Sequence, residues 1–129
     1  MANAGSESFP IPVYGGRVII CITREAHDRE HEALDGGKYK QANQVRGVCS
    51  FHTEKDNRAV YLLGVFEETQ QTLVHELVHL VFGVLSHASV PITRRNDEAF
   101  AYLMDTLFKE STDAIKRIRK RRSACRHRP

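Results

Sequence analysis

The first half of the chain carries short apolar runs of the kind that form strands. Arg17 to Thr23 is nearly continuous in apolar, mostly β-branched residues, which predicts a buried strand. Residues 44–53 alternate between apolar and polar positions, and residues 58–66 form another apolar run after a polar turn. These two segments predict a β-hairpin. A short exposed helix is expected from residue 24 to 30, between Thr23 as its cap and Gly36-Gly37.

The second half has helical spacing. A helix is predicted to begin at Glu67-Glu68, because acidic residues suit the positive end of the helix macrodipole, and to run to about Ser86. It is apolar nearly all round, which is typical of a helix buried in a core. After a loop, a last helix with one apolar stripe is expected over residues 97–122, capped by Asn96 or Asp97. About three strands followed by two long helices predict an α+β fold.

The chain has 129 residues, the usual size of one domain. Residues 1–16 are small and polar, contain prolines and end in the turn Gly15-Gly16, so we expect a flexible N-terminal arm there. Residues 17–115 are expected to form the folded domain, and residues 116–129 a basic C-terminal tail.

Composition favours a cytoplasmic protein. No segment approaches the ~18 consecutive apolar residues of a membrane-spanning helix, and the N-terminus lacks the cationic start and apolar run of a signal peptide. The cysteines Cys21, Cys49 and Cys125 are odd in number and widely spaced, which favours reduced thiols over disulfides.

The net charge of +3 is unevenly distributed. Residues 116–128 hold eight of the 19 cations and no acid, which leaves 11 cations against 16 acids elsewhere. Such a basic segment could contact the phosphates of a nucleic acid or an acidic partner. The alternative is a solvated helix end whose cations suit the negative end of the macrodipole.

The segment Thr72 to Leu80 contains an HExxH motif formed by His75, Glu76 and His79. Histidines four residues apart on a helix share a face and can both bind one zinc ion about 2 Å away. Glu76 lies one step round the helix, where it is expected to act as general base on a water whose pKa zinc lowers toward ~7. Burial of these groups in an apolar helix would need compensation, which a metal provides. The alternative is a chance match, or two histidines satisfied in the core.

The motif and the helix after it resemble the gluzincin metallopeptidases, whose third zinc ligand is a glutamate on the next helix. Glu98 to Ala101 matches the ExxA pattern of that group, whereas the ExxxD version fails at Tyr102. The resemblance covers about residues 58–108 and extends to minimal, single-domain members of bacteria and phages. It implies one zinc ion per chain, bound by His75, His79 and Glu98, and hydrolysis of a peptide or protein substrate.

Two other residues could complete the zinc site. Asp97 would do so in an aspzincin-like arrangement, and Cys49 in an arrangement similar to peptide deformylase. The metzincin pattern is excluded, because Phe82 and Leu85 occupy the positions where it requires glycine and histidine.

Further residues near the motif have two interpretations each. Tyr102, one turn beyond Glu98, and His87, after the motif helix, could stabilise an oxyanion or could be surface residues. Gluzincins bind peptides along the sheet edge next to the motif helix, so residues 58–66 could be a substrate-binding edge strand or a core strand. The other four histidines lack a spaced partner and are expected to face solvent: His27, His31, His52 and His127.

The sequence therefore predicts a zinc-dependent metallopeptidase with Glu76 as general base. Two alternatives stay open. One is an idle zincin site in a regulatory protein that binds nucleic acid or another partner through residues 116–128. The other is a non-peptidase zinc amidohydrolase, such as a deformylase.

Overall fold

The computed structural model describes residues 5–37, 45–67 and 70–126. They form four strands and three helices in the order β1 (Ser6–Pro10), β2 (Arg17–Cys21), α1 (Arg24–Asp35), β3 (Gly47–Thr53), β4 (Ala59–Val65), α2 (Gln70–His87) and α3 (Asp97–Arg126). The strands make one mixed sheet in the order β1-β2-β4-β3. β2 and β4 are parallel, and the other two pairs are antiparallel. The predicted α+β class is confirmed, with one more strand and one longer helix than expected.

The sheet lies between α1 on one face and α2 with α3 on the other. Successive side chains of a strand point to opposite faces, so Val18 and Ile20 of β2 join the core under α2 and α3, while Ile19 and Cys21 pack against α1. β4 alternates in the same way. Both central strands are thus covered on both faces, which explains why they form continuous apolar runs in the sequence.

The short helix predicted after Thr23 is longer than expected. The Thr23 side chain accepts a hydrogen bond from the backbone N–H of Ala26, and the helix continues to Asp35. It ends at Gly36, whose φ of 74° is in the left-handed region that glycine adopts without strain. No described helix is long and apolar enough to cross a membrane.

The prediction of a flexible arm over residues 1–16 is wrong for its described part. β1 pairs with β2 along its whole length, and Phe9 and Ile11 are buried in the core. Pro10 suits this position, because β1 is at the edge of the sheet and proline cannot donate a ladder hydrogen bond. The polar residues and prolines of this segment concealed the alternation of its two apolar side chains.

The basic segment is part of α3, which continues without interruption from Asp97 to Arg126. The expected boundary at residue 116 therefore does not coincide with the end of an element, and Ile118 is fully buried. Arg117 and Arg121 both form ion pairs with Glu7 of β1. Two of the eight cations thus hold the end of α3 against the edge of the sheet.

Replacement of Glu7 tests this contact through its pH dependence. Burial opposes ionisation of Glu7, but hydrogen bonds and charges of Arg121 and Arg117 outweigh it and lower the carboxyl pKa from 4.5. A lowered folded-state pKa means that the ionised carboxylate stabilises the fold above the unfolded-state pKa, and that this is lost as the pH falls through the folded-state pKa. We expect Glu7→Gln to reduce the free energy of unfolding by about 1 kcal/mol at neutral pH.

Urea unfolding at pH 7 and in acid, below the folded-state pKa of Glu7, would measure this difference. The effect of Glu7→Gln should nearly vanish in acid. Arg122→Gln, one position beyond a paired arginine, serves as the control and should change stability less than Arg121→Gln. An effect of Glu7→Gln that is equal at both pH values would contradict the ion pair.

Candidate functional site

The HExxH motif lies in the first half of α2, where its three polar residues have different environments. The rings of His75 and His79 lie side by side on the helix, with centroids 5.1 Å apart, and both residues are exposed. Glu76, in contrast, is only 7% exposed. The expectation that the helix buries both histidines is therefore wrong, because the apolar core takes up the opposite side of α2. Only the glutamate is buried enough to need compensation for lost hydration.

Glu76 is buried by the start of β3. A Cβ atom added to Gly47 would stand 2.8 Å from Glu76 Cγ and 2.9 Å from the backbone oxygen of Gly64, so only glycine fits without a shift. Burial raises the pKa of the Glu76 carboxyl, and the charges of His75 and His79 partly offset this effect. A raised carboxyl pKa lies closer to neutral pH, which suits a group that both takes up and returns a proton.

A cavity of about 390 Å³ opens beside this glutamate, between the start of β3 and the first turns of α2. Its lining comprises Arg46, Gly47, Gln71, Thr72, His75 and Glu76. Sequence reasoning missed the first four of these residues. Thr72, one turn before Glu76, could have been found from helical spacing, but nothing local identifies Arg46 and Gly47, which lie at the distant start of β3 and just before it.

The row of histidines on α2 follows the edge of the sheet. The four-residue spacing continues through Gly83 to His87, whose ring centroid lies 5.2 Å from that of Phe51 on β3. A Cβ atom at Gly83 would stand 3.2 Å from the Tyr61 ring of β4. At the other end of the row, His75 shares the cavity with the start of β3. The histidine face of α2 therefore lies near β3 at the start of that strand, at Gly47, and again at Phe51.

The edge strand is β3, and not the segment of residues 58–66. β4, which occupies that segment, is hydrogen-bonded to β2 on one side and to β3 on the other. Among the described residues, β3 has a single partner, so its outer side is an edge of the sheet. The hairpin was predicted, but the parallel pairing of β2 with β4 decides which of its strands is on the outside.

Glu98 lies in the first turn of α3 and is exposed. Its helix contacts α2 close by, since the rings of Phe82, three residues after His79, and Phe100, two residues after Glu98, have centroids 5.5 Å apart. Within the described part of the chain, neither Glu98 nor Asp97 belongs to a group of three metal-binding side chains with ligand atoms within 4.8 Å of one another. The helices meet, and a ligand role for either residue stays a prediction.

The remaining predicted residues lie outside the cavity lining. Cys49 packs against the core, and burial, with a smaller effect of the Glu76 charge, raises the pKa of its thiol to about 12. The metal-binding form of cysteine is the thiolate, so this environment does not favour a deformylase-like ligand. Tyr102 is 71% exposed on α3. His87 lies at the end of α2 against Phe51.

One group of metal-binding side chains is already gathered in the described residues, and it lies elsewhere. His31 and Asp35 of α1 and His52 of β3 place one ligand atom each within 4.8 Å of the others. The expectation that His27, His31 and His52 face solvent is wrong, because His27 and His52 are buried and His31 is half-buried. The spacing of His27, His31 and Asp35 on one helix face was the signal for this group; His127 lies outside the described residues.

Comparisons with the models of protein families, with curated proteins and with solved structures gave no match for this chain. The candidate site therefore rests on the motif and on the geometry around it.

Replacement of Gly47 tests the contact that buries Glu76. In Gly47→Ala the new methyl group overlaps the backbone oxygen of Gly64, which cannot swing away like a side chain, so β3 must shift. We expect a loss of about 1–3 kcal/mol in the free energy of unfolding, measured in urea. Gly37→Ala is the matched control, because no atom lies within 4 Å of a Cβ atom there. Equal stability of the two variants would contradict the close approach.

Proposed function

We propose that the protein is a zinc-dependent metallopeptidase with its active site between α2 and β3. The observation that carries the proposal is the position of Glu76. Its carboxyl is buried beside a cavity, has a raised pKa, and lies next to two imidazoles on the same helix that are not buried. A histidine pair alone would only bind metal. The buried acid adds a group that can move a proton next to the ion.

The residues present fit a catalytic zinc ion. His75 and His79 offer two imidazoles with adjacent rings on the accessible side of α2. Glu98 is the third ligand in this proposal, and its exposed side chain can change rotamer while the packed helix stays in place. Two neutral imidazoles and one carboxylate are a usual set of three protein ligands for catalytic zinc, which leaves a position for water.

Zinc, when bound, supplies positive charge that acidifies water and polarises the carbonyl of the scissile bond. Glu76 takes up the proton of the attacking water and returns it to the nitrogen of the leaving amine. We assign stabilisation of the oxyanion to Tyr102, which is exposed one helical turn beyond Glu98, since the His87 ring packs on Phe51.

The substrate in this proposal is an extended peptide that adds to the outer edge of β3. That edge offers backbone groups, and strand addition gives affinity through main-chain hydrogen bonds. The histidine row of α2 runs alongside β3, so a peptide held there passes the proposed zinc ligands. A cytoplasmic peptide or unfolded protein segment is the substrate class that follows.

Glu76→Gln tests the proposed base. Glutamine keeps the shape of the side chain, so the variant should bind as much zinc at the α2 site as the wild type. The rate of cleavage should fall by about 100-fold or more, since proton transfer by a positioned residue contributes that much. The zinc content that is lost when His75 and His79 are replaced by alanine gives the zinc bound at the α2 site, and a library of fluorescence-quenched peptides gives the rate of cleavage.

The matched control is Glu25→Gln, an exposed glutamate on α1, which should leave both quantities unchanged. A wild-type protein that carries zinc on His75 and His79 and cleaves no library peptide would refute the peptidase. Equal rates for wild type and Glu76→Gln would refute the role of Glu76.

Glu98→Ala and Asp97→Ala together test which of these two neighbouring acids is the third zinc ligand. We expect zinc affinity at the α2 site to fall by more than the ~10–100-fold that loss of an outer-sphere partner causes. Asp97→Ala, one position earlier and also exposed, should leave the affinity nearly unchanged. Competition with a chromophoric zinc chelator measures both. The opposite order of effects would assign the ligand to Asp97, and no effect in either variant would leave the site without a ligand from α3.

A further inference from the structure

The side chains His31, Asp35 and His52, here called the α1–β3 cluster, join the last two turns of α1 to the edge strand. His52 Nδ1 lies 2.8 Å from Asp35 Oδ1, and His31 Nε2 lies 3.4 Å from Asp35 Oδ2. The two imidazole rings are perpendicular, with centroids 4.9 Å apart. Two ring nitrogens therefore converge on one carboxylate.

These separations suit a metal ion. Ligand atoms about 2.0–2.1 Å from a tetrahedral zinc ion stand roughly 3.3 Å from one another. The separations of 2.8 Å and 3.4 Å end on different oxygens of Asp35, and one ligand atom from each of the three residues lies within 4.8 Å of the other two. Bringing the three ligand atoms to these separations changes any one distance by at most about 1.5 Å, which is within the reach of side-chain adjustments.

A fourth residue orients the His52 ring. Ser50 Oγ lies 2.7 Å from His52 Nε2, on the side of the ring away from Asp35. A metal-binding histidine usually donates its other N–H to such an outer partner. A serine hydroxyl can donate or accept. Ser50 can therefore donate to Nε2 while Nδ1–H is bonded to Asp35, and can accept from Nε2–H when Nδ1 binds an ion; the imidazole keeps one proton throughout.

The α1–β3 cluster is separate from the motif on α2. Cys49 and Phe51 of β3 face the core under α2, whereas Ser50 and His52, which alternate with them, face α1. The sheet thus lies between the two groups of histidines. Burial differs within the cluster: His52 is buried, while the side chain of Asp35 is 46% exposed. Solvent and an ion can enter from the Asp35 side.

We propose that His31, Asp35 and His52 form a second metal site, for a divalent transition-metal ion of the zinc type, which links α1 to the edge strand β3. Two imidazoles and one carboxylate select such ions over Mg²⁺ and Ca²⁺, which prefer oxygen ligands. A fourth position, on the solvent side next to Asp35, is taken by water. The site does not depend on the activity proposed for α2.

The test uses the full chain with His75→Ala and His79→Ala, so that the proposed α2 site is removed. This parent protein should bind one Zn²⁺ per chain in a chelator competition, give the visible absorption of a four-coordinate Co²⁺ site, and melt at higher temperature when Zn²⁺ is added. Asp35→Asn and His52→Gln should each weaken Zn²⁺ binding by about 100-fold or more and abolish the shift in melting temperature. Ser50→Ala should weaken it by ~10–100-fold.

Asp28→Asn is the matched control, since Asp28 contacts His27 on the same helix but lies outside the cluster. It should bind Zn²⁺ like the parent. A folded parent, as judged by circular dichroism, that binds neither Zn²⁺ nor Co²⁺ would overturn the proposal, as would Asp35→Asn binding like the control. Should the parent or His52→Gln fail to fold, wild type and Asp35→Asn decide by the same titration, because their zinc contents must differ by one ion per chain.

Discussion

Glycine at position 47 lets the edge strand approach α2 so closely that Glu76 is only 7% exposed. The burial raises the pKa of that carboxyl, while His75 and His79 on the same helix keep access to solvent. The cavity lies beside this contact, between the strand and the helix. The absence of a side chain at Gly47 thus brings the edge of the sheet close to the Glu76 carboxyl and to the two accessible imidazoles of α2.

Much of the fold could be predicted because it is local. The apolar run of Arg17 to Thr23 predicted a buried strand, residues 58–66 were predicted as the second strand of a hairpin, and Asn96-Asp97 correctly marked the start of α3. The strand order could not be predicted in the same way, because the parallel pairing of β2 with β4 joins residues about 43 apart, such as Arg17 and Val60. That pairing makes β3 one edge of the sheet, and the other edge is β1, whose polar residues and single proline conceal a strand.

The candidate site depends on packing that the hydrophobic periodicity of the sequence does not predict. The sequence of a helix that is apolar nearly all round does not reveal which side faces the core, so Val74 and Phe82 are exposed although they are as apolar as the buried Leu77. The motif specified that His75 and His79 share a face. Only packing could decide that this face borders β3 and that Glu76 turns inward. The burial of the histidines on α1 and β3 was not predicted for the same reason, because α1 and β3 contact each other only in the folded protein.

β3 is hydrogen-bonded to one neighbour among the described strands, so contacts on its two faces must fix its position. On one face Gly47 lies against Glu76 of α2, and on the other His52 is hydrogen-bonded to Asp35 of α1 at 2.8 Å. Because successive side chains of a strand point to opposite faces, the seven residues of β3 can make contacts on both faces of the sheet. Because the environment of Glu76 depends on where β3 lies, any change in the α1–β3 cluster that displaces the strand must also change the burial of Glu76. The burial of Glu76 on one face of the sheet and the His52–Asp35 hydrogen bond on the other thus both depend on the position of β3.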